Sequence, residues 1–393
     1  VAEPKVQEIA APALAGSQQH HLTRTADGRL LASWVEVQGA QHTLRFAIRD
    51  KGNWLPTQTV TTHAGKLAAT PVIVPLTDGA LAAAWMPSVK NPNNPYAADI
   101  FLTRSTDQGK TWSTASKPYT ASAQIYDAQM SLAPLTGGKL ALVWTDTRAV
   151  NFPPPGAASE QENGRFQLMS TVIDVQGQAG QGRVLDNDVC SCCRAYTAAR
   201  GDELLTVYRD HLPGEVRDIA SVRWNVKGQI RPTPIPGDHW VLNGCPANGP
   251  AVAMRASRAV AAWFTAVDGK GRVKLSFSTD KGAHFGKPIE VDDSATGYVH
   301  TEMLDDGSAM LAWRGRSGPE EELRIARVTP RGEIEDRATV VTGGLAQWPS
   351  SHPSLAQVGK EIFVAWTDAQ QKRVRMAAVT VGVAAKADKL ARR

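Results

Sequence analysis

Asp78-Gly-Ala-Leu-Ala-Ala-Ala-Trp85 is a tight-turn pair followed by an apolar run that ends in an aromatic. The same order recurs as Asp27-Gly-Arg-Leu-Leu-Ala-Ser-Trp34, Gly138-Lys-Leu-Ala-Leu-Val-Trp144 and Asp202-Glu-Leu-Leu-Thr-Val-Tyr208. Three later copies end at Trp263, Trp313 and Trp366. Asp and Gly favour the turn because Asp bonds its own backbone and Gly accepts positive φ. Short alternating segments follow, such as Thr43–Arg49, Asp99–Arg104 and Val273–Ser278, and read as further strands. No long helical period appears. A unit of about 50 residues with four short strands, repeated, is a propeller blade. Seven aromatic-ended strands predict an all-β propeller of seven blades, with six blades plus an irregular segment as the alternative. After Arg373–Val379 little chain remains for a last outer strand. Lys5–Ala10 is expected to supply it and so close the ring, removing the exposed edges of an open sheet. Residues 1–383 are expected to form this one domain, and 384–393 a basic tail.

The chain has 393 residues and a net charge of +5, with both signs interspersed. That pattern argues against a nucleic-acid track. No apolar run approaches the ~20 residues of a membrane span. A first residue of Val1 reads as the product of a removed export signal. With only four cysteines, a periplasmic or secreted bacterial monomer is expected.

Ser105-Thr-Asp107-Gln-Gly109-Lys-Thr111-Trp112 matches the Asp box at every defined position. Ser278-Thr-Asp280-Lys-Gly282-Ala-His284-Phe285 matches its first half, and Asp50-Lys-Gly52-Asn-Trp54 is a shortened form. On these motifs the chain resembles the sialidase-like, Asp-box (BNR-repeat) β-propellers. It is similar to a bacterial subgroup marked by Cys-x-Cys-Cys, then Arg-Asp with Glu-x-Arg-Asp-Ile, then Gly-Cys-Pro-x-Asn-Gly-Pro-Ala. Here these are Cys190–Cys193, Arg209-Asp210 with Glu215–Ile219, and Gly244–Ala251. The resemblance implies a propeller with boxes used as turns between third and fourth strands. It does not imply ordinary sialidase activity. Gln18 stands where the family's Arg-Ile-Pro begins, and no Tyr–Glu nucleophile pair is evident. Whether the chain is an enzyme stays open.

Three of the four cysteines fall in Cys190-Ser191-Cys192-Cys193, and Cys245 is the fourth. Inner strands of a propeller all start at one mouth, so Cys190–Cys193 and Cys245 should meet there. His21, His300 and His352 start other inner strands. Sulfur with imidazole is the ligand set of copper, especially Cu(I), or of zinc. If Cys190–Cys193 is extended, Cys190 and Cys192 share a face and Cys193 opposes them. The expected metal site uses Cys190, Cys192 and Cys245 with one or more of His21, His300 and His352. Cys193 could join a multinuclear cluster. Four cysteines in an exported chain equally fit two disulfides, or a reactive thiol.

A second constellation, Arg209, Asp210, Glu215 and Arg217, flanks one loop on the same face, and Arg314 ends a second strand elsewhere. Read functionally, it is an arginine clamp for a small anionic or glycan ligand, with a carboxyl as acid or base. Read structurally, it is a self-paired salt-bridge loop. Segments 87–95 and 151–163 are long enough to wall a pocket. The leading reading is therefore metal binding for metal handling or a redox step. A glycan-directed enzyme or binder is the main rival, and a disulfide-stapled scaffold is the third.

Overall fold

The structure, a computed structural model, describes residues 4–92, 94, 96–119, 125–151 and 163–381. The basic tail and most of the 151–163 segment lie outside the described residues. Seven antiparallel sheets are arranged around a central channel. Their inner strands are Ser17–Arg24, Val72–Pro75, Ile125–Pro134, Tyr196–Arg200, Ala251–Arg255, Ala295–Met303 and Ser354–Val358. Each inner strand touches the next around the ring, and the seventh touches the first. These sheets are called blades 1 to 7.

The second strands carry the aromatic that ends each repeat. Trp34, Trp85, Trp144, Tyr208, Trp263, Trp313 and Trp366 are all buried. Apolar clusters fill the gaps between neighbouring blades. Leu205, Val207, Val252, Ala259 and Trp263 join blades 4 and 5, for example, and Leu22, Leu30, Phe363 and Met376 join blades 7 and 1. Burial of such side chains is worth roughly 1.5–3 kcal/mol each, so the sheet-to-sheet gaps are where the ring is held. Blade 7 is completed as expected. Lys5–Ile9 pairs antiparallel with Arg373–Thr380, from Lys5 opposite Thr380 to Ile9 opposite Met376.

The Asp boxes are turn devices. Asp107 accepts from Thr111 N–H at 2.9 Å and from Thr111 Oγ1 at 2.6 Å, while Ser105 Oγ takes the Gly109 N–H at 2.8 Å. Gly109 has φ 87° and lies against Phe46 of blade 1, where a β-carbon would collide with the ring. The second box repeats this net with His284 in place of threonine, its Nδ1 2.6 Å from Asp280. In the shortened form, Lys51 and Gly52 both have positive φ, as a two-residue hairpin requires.

Alternating strand direction then sorts the loops. Segments that lead into inner strands share one face with the loops between second and third strands. The Asp boxes lie on the other face, with the turns between first and second strands. Cys190–Cys193, Cys245 and the 209–218 loop therefore occupy one face of blades 4 and 5.

Candidate functional site: a cysteine group beside a charged channel

The cysteine segment is a turn, not the start of a strand, and the inner strand of blade 4 begins only at Tyr196. Val189 bridges to Asp210, and Cys190 N–H donates to Arg209 C=O at 3.0 Å. This anchors the segment to the end of the second strand before the chain reverses at Ser191–Cys192. The expected alternation is thereby overturned, since reversal brings residues i and i+3 together. Cys190 and Cys193 have their Sγ atoms 3.1 Å apart, both buried. Cys192 and Cys245 form a disulfide with a Cα–Cα distance of 6.3 Å, stapling blade 4 to the segment before blade 5. Ligand atoms of all four cysteines lie within 4.8 Å of one another. Cys245 is exposed, so the group has a buried dithiol behind a disulfide that faces solvent.

The hydrogen bond from the Cys193 thiol lowers the Cys190 thiol to about 7, against burial and with help from the Arg209 and Arg217 guanidinium groups. Burial pushes the Cys193 thiol up. Of the two, Cys190 is the one poised to be thiolate near neutral pH.

The Gly-Cys-Pro-Ala-Asn-Gly-Pro motif holds this group in place. Asn248 C=O accepts from Arg209 Nε at 2.9 Å, and Asn248 Oδ1 accepts from Tyr298 N–H at 2.7 Å. Gly249 packs on the backbone of Arg194, where a β-carbon would sit 2.0 Å from the Arg194 carbonyl oxygen. One asparagine and one glycine thus tie blades 4, 5 and 6 together at the residue after Cys193.

The acid–base loop separates into different roles. Arg209 is fully buried and stacks over Trp240 at 4.9 Å. Its N–H groups donate to the carbonyls of Asn248, Arg217 (2.5 Å) and Phe264 (2.7 Å). Arg217 pairs with Glu215 at 2.7 Å, and His211 lies between Asp188 (2.9 Å) and Glu215 (3.3 Å). Asp210 is raised to about 6 by burial and by the neighbouring Asp186 carboxylate. Arg314 is elsewhere. It pairs with Glu321 at 3.3 Å, donates to Ala346 C=O and lies over Tyr298 at 5.0 Å.

The imidazoles gather separately from the sulfurs. The four-cysteine group includes none of His21, His300 and His352. His20 joins those three, with Nδ1 2.9 Å from Thr367 Oγ1. His300 Nδ1 accepts the Leu355 N–H at 3.0 Å, and His352 meets the Tyr298 ring at 5.1 Å. Burial, reinforced by nearby arginine charge, holds His20, His21 and His300 down to about 3, and it lowers His352 as well. All four are neutral at ordinary pH. His20 Nε2, His21 Nδ1 and His352 Nε2 are shut from solvent without a partner. Arg194, His20 and His211 carry these arrangements yet have no motif to flag them. Only the position of Arg194, directly after Cys193, was a signal.

No family model matches the chain, and no curated protein sequence matches it either. Solved structures do match in fold. A protein of unknown function from Dyadobacter fermentans aligns at TM-score 0.52 and 12% identity, over 97% of this chain and 99% of that one. Leech intramolecular trans-sialidase, solved with 2,7-anhydro-Neu5Ac, aligns at TM-score 0.53 and 8% identity, over 95% and 93%. The architecture is therefore sialidase-like, and identities this low speak for the fold alone.

Proposed function

We propose that this propeller binds a soft metal ion through its cysteine group, copper first and zinc second, for metal handling or a redox step. The observation that carries the reading is four cysteine sulfurs, from two distant segments, all within 4.8 Å of one another. Sulfur-only donor sets favour Cu(I) and Zn(II). With Cys192–Cys245 oxidised, Cys190 and Cys193 remain as a two-thiolate site suited to Cu(I). A four-thiolate site suited to Zn(II) needs that disulfide reduced by two electrons and two protons. The disulfide favours an oxidising compartment, so we place the protein in the periplasm or outside the cell. The channel imidazoles are assigned no role in this site.

The test is metal content together with a thiol count. Protein loaded anaerobically with Cu(I), with and without prior reduction, should retain about one ion per chain. Cys190→Ser and Cys193→Ser should abolish retention, and His300→Gln should leave it intact. Failure to retain Cu(I) or Zn(II) with four titratable thiols present refutes the reading.

A second reading, glycan binding or turnover at the 209–218 loop, rests on Asp210. Its pKa of about 6 suits a general acid near neutral pH. The sialidase-like fold is compatible with this use. Arg209 does not help it as an anion clamp, since it is buried and each of its three nitrogens already donates to a backbone carbonyl.

A further inference from the structure

The cavity in the central channel has a volume of about 650 Å³. It is lined by the inner strands of blades 1 to 6, including His21–Arg24, Arg194–Gly201 and His300–Met303. It extends to the turns between first and second strands, on the face opposite the cysteines. At its inner end lies Arg194. This side chain is 8% exposed, its Nε has no partner, and its guanidinium rests over the Tyr196 ring at 4.1 Å. No carboxylate pairs with it among the described residues. Besides Tyr196, its ionisable neighbours include His20, His21, His300 and His352, all held neutral by burial.

A buried cation without a counter-ion costs several kcal/mol, and native proteins normally supply a partner. The other buried arginines are partnered: Arg217, Arg314, Arg324 and Arg327 pair with carboxylates, and Arg209 donates to three carbonyls. At the cavity's other end, Arg24 and Arg200 are exposed and unpaired among the described residues, and Arg255 pairs with Asp305 at 2.6 Å. Positive charge thus runs from the rim to the floor. Met130, Met254 and Met303 supply apolar wall between.

We infer that the channel binds a small organic oxyanion, its charged group on Arg194 and its apolar body against the methionines. Arg24 and Arg200 attract the ligand at the rim. His21 lines the same cavity, and its Nδ1 has no partner among the described residues. This site opens on the face opposite the cysteine group, and Arg194, at its inner end, is the residue after Cys193.

Glu302 tunes it. It lines the same cavity, and burial raises its carboxyl to about 7, with Arg255 pulling the other way. The other titratable groups on the wall are His21 and Arg24 from blade 1, Arg194, Tyr196 and Arg200 from blade 4, and His300 beside it. The inner strands of blades 2 and 7 bring none. Below about pH 7 Glu302 is neutral and tolerates an anion. Above that pH it repels one.

The experiment is calorimetric titration with phenyl phosphate, inorganic phosphate and benzyl alcohol at constant ionic strength. Expected are saturable one-to-one binding of phenyl phosphate, weaker binding of inorganic phosphate and none of the neutral alcohol. Arg194→Met should weaken phenyl phosphate at least tenfold. Glu302→Gln should remove the fall in affinity between pH 6 and 8. Met254→Trp, which narrows the channel and leaves Arg194 untouched, should also block binding, and it serves if Arg194→Met does not fold. Equal binding by wild type and by both Arg194→Met and Met254→Trp, or no saturable binding of either phosphate by wild type, overturns the proposal.

Discussion

Arg194 and Arg209 are both buried, both belong to blade 4, and both lie within reach of Asn248–Gly249. Every guanidinium nitrogen of Arg209 has an acceptor, and the Arg194 Nε has none among the described residues. Arg209 spends its donors on three carbonyls from three separate chain segments and lies flat on Trp240. Arg194 has a ring beneath it and, among the described residues, no acceptor for its Nε. The contrast separates an arginine that replaces missing backbone partners from one whose charge is left for something else. A buried charge that is fully bonded is architecture, and one left unbonded is a vacancy in the electrostatics.

The contrast can be broken most directly at Arg209. Arg209→Ala orphans three buried carbonyls and should cost roughly 3 kcal/mol or more, at about 1 kcal/mol or above for each lost partner. Urea unfolding would show it as a lower midpoint at unchanged slope. A loss below about 1 kcal/mol would mean water replaces the side chain, and Arg209 would return as a candidate ligand clamp.

Asp210, next in the chain, gives an intermediate effect with a definite pH signature. The folded carboxyl keeps its proton up to about 6, whereas an unfolded Asp loses it near 3.9. Between those values the folded state binds more protons. Stability from this group is therefore greatest below about pH 4, falls as pH rises to about 6, and is flat beyond. Asp210→Asn should raise Tm by a few degrees at pH 8 and leave it unchanged at pH 4. An equal shift at both values would point to a packing effect.

Arg194→Met should have the smallest effect on stability. Replacing an uncompensated buried charge by an apolar chain is often neutral or stabilising, so the variant should unfold within about 1 kcal/mol of wild type, or later. A large loss would show that Arg194 has a structural partner and would erase its difference from Arg209.

The architecture was legible because it rests on local, repeated chemistry. An aromatic after an apolar run, at each of seven places, is enough to fix a strand and its buried end. The missing outer strand after Val379 was equally readable from chain length. The cysteine geometry was not, because alternation holds only for extended backbone, and Val189–Cys193 is pinned to Arg209–Asp210 and then reversed. Nor do Arg194 and Arg209 differ in any local pattern. What distinguishes them is supplied by residues 217, 248 and 264, which only folding brings close. His211 belongs to no motif, and only folding places Asp188 and Glu215 on either side of it.

The pairing of Lys5–Ile9 with Arg373–Thr380 also bears on how the molecule comes apart. In an open stack of repeats, the end units have one neighbour each and fray before the middle. Here each blade has two neighbours, and the strand that locks the seventh comes from the opposite end of the described chain. There is no end unit to melt first. Loss of that one strand would leave Arg373–Thr380 as a bare edge and give the closed ring an end from which it could peel.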